Sequence, residues 1–175
     1  MGINLTEAEA FRIARYLEKR TSRFYHIAAL AMTDPLARQL FNELSQMEDD
    51  HDHVFGAIQD ELCSTDHANQ FDPSWQAVLS TVLSDVEVDL VKRFQGKVSP
   101  VDIISAAMGF EKESIIFLLA LKNMLPPEQK HKIDRLIQEE LGHLLKLGGQ
   151  MAKDQTQNAL DRKFPGLGQM DDQPC

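Results

Sequence analysis

The chain has 175 residues, 43% of them hydrophobic, and a formal net charge of −9. That length and apolar content suffice for one domain with a sizeable core. The acidic balance, with no long run of Lys or Arg, argues against nucleic acid or an anionic membrane surface as a partner.

Cys63 and Cys175 form no Cys-x-x-Cys pair and suggest neither a disulfide framework nor a thiolate metal site, which fits a reducing compartment. No apolar run approaches the ~20 residues that a membrane span needs. The N-terminus carries Glu7 and Glu9 and lacks the apolar stretch of a signal peptide. A cytoplasmic protein is expected.

Thr6-Glu7-Ala8-Glu9 reads as a capping box and predicts a first helix over about 6–32. Phe11, Ala14, Glu18, Thr21, Tyr25, Ala28 and Met32, flanked by Leu17 and Phe24, form one stripe along it. The stripe is apolar except for a carboxylate, Glu18, in its middle. Asp34-Pro35 is a cap followed by proline at the first helical position, and it predicts an antiparallel second helix over about 35–62. Its seam of Ala37, Phe41, Leu44, Phe55, Ile58 and Leu62 is again interrupted at mid-length, by Glu48 and His51.

Residues 63–72 are polar and read as loop. A packing stretch with Trp75, Val78, Leu79, Val82, Val86, Leu90 and Phe94 follows over about 73–95, inside a long crossover. Ser99-Pro100-Val101-Asp102 caps a third helix, about 100–125, with Ile104, Met108, Glu111, Ile115, Leu118 and Leu125 as its stripe. Pro126-Pro127 breaks the chain, and a fourth helix over about 127–153 turns Ile133, Leu136, Ile137, Glu140, His143, Leu144 and Leu147 inward. Residues 1–153 are thus one domain. Residues 154–175, without apolar periodicity, are expected to be a flexible tail.

The arrangement repeats internally. Glu48-x-x-His51 and Glu140-x-x-His143 each place a carboxylate and an imidazole one helical turn apart on one face. Glu18 precedes Glu48 by 30 residues and Glu111 precedes Glu140 by 29, and in each hairpin the turn lies about midway. At ~1.5 Å per residue, all four glutamates stand ~20 Å from their turns and meet at one level. Four ionised carboxylates in an apolar seam cost many kcal/mol unless they are paired or bind metal. No Lys or Arg lies on those stripes, whereas two divalent cations would balance them. Carboxylate and imidazole donors suit iron or manganese better than a structural zinc. One Glu from each of two helices with Glu-x-x-His from each of the other two is the donor pattern of di-metal carboxylate bundles. A third Glu-x-x-His, Glu128 to His131, is discounted: His131 is nine residues before Glu140 and on the opposite, solvated side of the helix. Asp49, Asp50, His53, Glu113 and Glu139 are read as surface charge, and no acceptor behind either histidine can be named.

On Leu17-Glu18 followed by Phe24-Tyr25, Met47-Glu48-x-x-His51, Phe110-Glu111-Lys112-Glu113-Ser114 and Glu139-Glu140-x-x-His143, the chain resembles the ferritin-like superfamily over roughly residues 6–153. Within it, the chain is similar to rubrerythrin-like proteins without a rubredoxin domain. The resemblance implies an all-α, ferritin-like four-helix bundle of two antiparallel hairpins joined by a crossover with extra short helices. It implies two iron ions, with manganese or zinc as substitutes, held by Glu18, Glu48, His51, Glu111, Glu140 and His143. It also implies a role for Tyr25 beside the ligands, where packing with a hydrogen-bonded tip is the alternative. The chain departs from rubrerythrins at Ser114, where they have a further carboxylate, and at Phe117-Leu118, where the counterpart of Tyr25 is missing. Two functions are expected to compete. One is a di-iron oxidoreductase, peroxidase or ferroxidase, taking O2 or hydrogen peroxide and an unidentified electron donor. The other is a non-enzymatic iron-binding, storage or metal-stabilised module. A homodimer is the expected assembly.

Overall fold

The protein is described here from a computed structural model, over residues 7–63 and 99–163. Four helices make up this part: α1, Glu7–Ala31; α2, Pro35–Cys63; α3, Pro100–Met124; and α4, Pro127–Lys163. Thr6, the expected crossover elements and residues 164–175 of the expected tail lie outside the described residues.

The caps act as the sequence leads one to expect. Asp34 accepts hydrogen bonds from the backbone N–H of Leu36 at 3.3 Å and Ala37 at 3.0 Å, satisfying donors at the start of α2. At α3, Asp102 N–H donates to Ser99 Oγ and Ser99 N–H donates to Asp102, both at 3.2 Å, a reciprocal capping box.

The fourth helix runs ten residues past its expected end at 153. Apolar periodicity reports which face is buried, not whether the backbone is helical. Residues 154–163 contain no Gly or Pro, Pro165 being the first breaker, and Arg162 and Lys163 in the last turn suit the negative end of the helix dipole.

In cross-section α1 neighbours α2 and α3, and α4 neighbours α3 and α2. Arg15 bridges α1 and α2 through its Nε to Asp52 at 2.7 Å. Arg20 of α1 pairs with Glu113 of α3 at 2.8 Å and lies over the Phe110 ring at 4.5 Å. Lys132 near the start of α4 pairs with Glu61 near the end of α2 at 2.7 Å, so these helices are also antiparallel.

The core is split in two. One apolar cluster joins Phe11, Leu17, Phe55, Ile58, Phe117, Leu121 and Ile133. The other joins Phe24, Met32, Phe41, Leu44, Ile104 and Leu147 at the opposite end of the bundle. Between them lies a buried polar layer. The whole expected stripe of α1 is buried, including Glu18 at 2% exposure. On α3 the buried face is centred elsewhere than expected: Met108 and Ile115 are only partly covered, while Ala107, Phe110, Ser114 and Leu121 are buried. α3 is apolar on more than one side, so its sequence alone does not fix which stripe faces the core. Among the described residues, no helix is long and apolar enough to cross a membrane.

Candidate metal centre

Each helix delivers its polar residues to the layer between the two apolar clusters. Glu18 comes from α1, Glu48 and His51 from α2, Glu111 from α3, and Glu140 and His143 from α4; all six are at most 3% exposed. Within each Glu-x-x-His the two side chains meet because positions three apart share a face. They form two overlapping groups, Glu18, Glu48, His51 and Glu140 in one, and Glu48, Glu111, Glu140 and His143 in the other. In each group the candidate ligand atoms all lie within 4.8 Å of one another. Glu48 and Glu140 belong to both and can bridge; Glu18 with His51 and Glu111 with His143 close the two ends.

Both histidines turn Nδ1 inward. His51 Nδ1 lies 3.0 Å from Glu140 Oε1, 3.6 Å from Glu48 Oε2 and 3.7 Å from Glu18 Oε2. His143 Nδ1 lies 3.1 Å from Glu48 Oε1, 3.3 Å from Glu140 Oε2 and 3.4 Å from Glu111 Oε2. The two rings stack with centroids 5.5 Å apart. The atoms converge without pairing well. Glu18 Oε2, Glu48 Oε1, Glu111 Oε2, Glu140 Oε2 and both Nδ1 atoms are buried with no hydrogen-bond partner among the described residues. Native interiors rarely leave so many polar atoms unmet in one place, and a bound ion is a recognised reason for it. The donor set, four carboxylates and two imidazoles, fits a pair of divalent iron or manganese ions.

The electrostatics show how strongly the six groups perturb one another. Burial, reinforced by neighbouring carboxylates, pushes Glu18 and Glu111 well above the ordinary carboxylate range. Burial acts upward on Glu48 and Glu140 too, but the close approach of Glu18 or Glu111 and of the imidazoles outweighs it and holds both below that range. Burial lowers the histidines, yet the surrounding glutamates lift His143 to about 11 and His51 well above its usual range. Without metal, then, Glu18 and Glu111 are pushed toward their protonated forms and the two imidazoles toward their charged ones.

Around the cage three contacts stand out. Tyr25, fully buried, donates its hydroxyl to Glu111 on α3 and not to Glu18 on its own helix. Ser114 donates toward Glu18 at 3.3 Å and lies 3.5 Å from Glu140. Glu139 takes His51 Nε2 at 3.1 Å while its other oxygen accepts from Arg135 at 2.9 Å. Glu139 and Glu113 therefore depart from the surface-charge reading. One backs a buried imidazole and the other neutralises the buried Arg20. The signal for Glu139 was available in the doubled Glu139-Glu140, but using it requires knowing that α2, not α3, lies on that side of α4. His131 is exposed, belongs to neither ligand group and lines a cleft that reaches His51, while Asp49, Asp50 and His53 are on the surface. That cleft, of about 550 Å³ between α2 and α4 and lined by Met47, Val54, Arg135 and Glu139 among others, leads from the surface to His51.

No family model matches the chain, and no curated protein matches it significantly. Among solved structures it is similar to a protein from Thermotoga maritima described as a candidate ferritin-like diiron-carboxylate protein. The TM-score is 0.64 and the identity 17%, over 87% of this chain and 98% of that one. At that identity the likeness speaks to the fold, and the fold is the all-α, ferritin-like bundle.

Proposed function

We propose that the chain binds two iron ions in the cage and is a rubrerythrin-like di-iron oxidoreductase acting on hydrogen peroxide or O2. The observation that carries this is the set of six buried side chains whose inward atoms find no partner among themselves. The description of the Thermotoga maritima protein as a diiron-carboxylate protein supports it. Two ferrous ions would supply the two electrons which, with two protons, reduce hydrogen peroxide to two waters. The chain's own contribution is positional. Glu48 and Glu140 span both positions, Glu18 and Glu111 flank them, and Tyr25 fixes the carboxylate of Glu111 by donating to it. The apolar clusters above and below exclude bulk water, which strengthens every charge interaction in the layer.

The alternative is a metal-storage or metal-stabilised module without turnover, and Ser114 favours it, since a neutral hydroxyl stands where rubrerythrins have a further carboxylate. The test is anaerobic loading with Fe(II) followed by peroxide. Rapid oxidation of the bound iron, with turnover when a reductant is supplied, supports the enzyme; binding without fast oxidation supports the module.

The same preparation tests the ligand set. The intact chain is expected to hold about two ions. His51→Ala or His143→Ala should each lower that content, and His131→Ala should leave it unchanged because its imidazole is exposed and belongs to neither ligand group. Metal analysis of the three variants decides it, and equal losses in all three would refute the assignment.

A further inference from the structure

The two ends of the cage differ in what stands behind the histidine. Behind His51, Glu139 accepts at Nε2 from 3.1 Å, and Arg135 holds its second oxygen at 2.9 Å. Behind His143 there is nothing comparable: its Nε2 is buried and has no hydrogen-bond partner among the described residues. The internal repeat shows where the difference comes from. Glu139 precedes Glu140, and the matching residue before Glu48 is Met47, which carries no strong acceptor.

We infer that Glu139 is a positioning residue that makes the two metal positions unequal, so that the Glu18/His51 position fills before the Glu111/His143 position. This rests on the two-ion reading of the cage. An imidazole that offers Nδ1 to a cation must carry its proton on Nε2. At His51 that N–H points to a carboxylate, which fixes the ring and tautomer and makes Nδ1 a stronger donor. At His143 the same tautomer leaves a buried N–H without an acceptor among the described residues, which disfavours binding. The neighbouring hydroxyls do not separate the two positions: Ser114 donates to Glu18 at the first and Tyr25 to Glu111 at the second, so the difference lies behind the histidines.

Calorimetric titration of the metal-free full chain with Zn(II) or Co(II) tests this without any turnover. Two steps are expected, and His51→Ala should remove the tighter one while His143→Ala removes the weaker. Glu139→Ala should weaken the tighter step by about 10–100-fold and spare the other. Glu139→Gln, whose amide oxygen still accepts from Nε2, should recover part of the loss. Glu139 is a third exposed, so its replacement leaves the packed layer intact, and circular dichroism verifies the fold. Two ions bound with affinities that Glu139→Ala leaves unchanged, or weakens equally, would overturn the inference while sparing the two-ion reading. Retention of the tighter step in His51→Ala would do the same. Failure of the intact chain to bind either metal would overturn both.

Discussion

Stripping the metal is expected to lower the melting temperature by on the order of 10 °C near pH 7, and by much less near pH 5. An ion that binds only the folded chain stabilises it by about 4 kcal/mol when its free concentration exceeds Kd a thousandfold, and a chain of this size shifts by ~2–4 °C per kcal/mol. The pH dependence follows from the groups in the cage. Glu18 and Glu111 have folded pKa values raised by burial and by neighbouring carboxylates. His51 and His143 are raised by the glutamates around them, against burial. A raised group stabilises the fold fully below its unfolded pKa and loses that contribution as pH rises through the folded value. For the histidines the contribution is complete below about 6.5; for the two glutamates it continues to grow down to about 4.5. The metal-free protein therefore gains stability between pH 7 and pH 5. The loaded protein loses over the same interval, because the protons compete with metal for the same oxygens and Nδ1 atoms. Glu48 and Glu140, held below the ordinary range, keep their contributions until the pH drops below about 4.5, and so do not disturb this window. Melting curves of loaded and chelator-treated protein at both pH values check this. Coincident curves at pH 7 would contradict metal binding in the folded cage.

The four-helix plan and the level of the polar layer are legible in the sequence because two independent signals agree there. Caps such as Asp34-Pro35 and Ser99-Pro100 mark where helices start. The equal spacing of Glu18 to Glu48 and Glu111 to Glu140 then places carboxylates from separate hairpins at one height. What could not be read are relations that depend on which helices are neighbours. Tyr25 lies on the face of Glu18, and a single helix suggests no other partner; its hydroxyl reaches Glu111 only because α1 packs beside α3. Glu139 looks like a solvated charge until α2 is placed beside it. Ser114 is small enough to pass for a spacer in an apolar stripe, yet that size lets its hydroxyl sit between two carboxylates. The end of α4 differs from the expected one for another reason. Helical propensity carries the chain to Lys163 after the buried face has run out.

Replacing Glu111 by Gln is expected to move stability in opposite directions with and without metal. Glu111 is fully buried, and burial together with Glu140 and Glu48 pushes its pKa well above the ordinary range. In the metal-free protein near pH 7 the fold must therefore take up a proton there or tolerate a charge among like charges. Glutamine has the same shape and no charge, and its amide oxygen can still accept from the Tyr25 hydroxyl. Keeping that carboxyl protonated near pH 7 costs about 1.4 kcal/mol for each pH unit above its ordinary value, a cost that glutamine does not carry, so Glu111→Gln should make the metal-free protein more stable. With metal present the effect reverses, since the Glu111/His143 position keeps only Glu48, Glu140 and His143. Its ion should be lost or much weakened, and much of the metal-induced rise in melting temperature should go with it. Tyr25→Phe separates the two contributions: it leaves the Glu111 carboxylate in place but removes its hydrogen-bond donor, so it should destabilise the metal-free protein instead of stabilising it. Chelator-treated Glu111→Gln melting below the unmodified chain would mean that the carboxylate is satisfied without metal, and that the layer is a structural hydrogen-bond network.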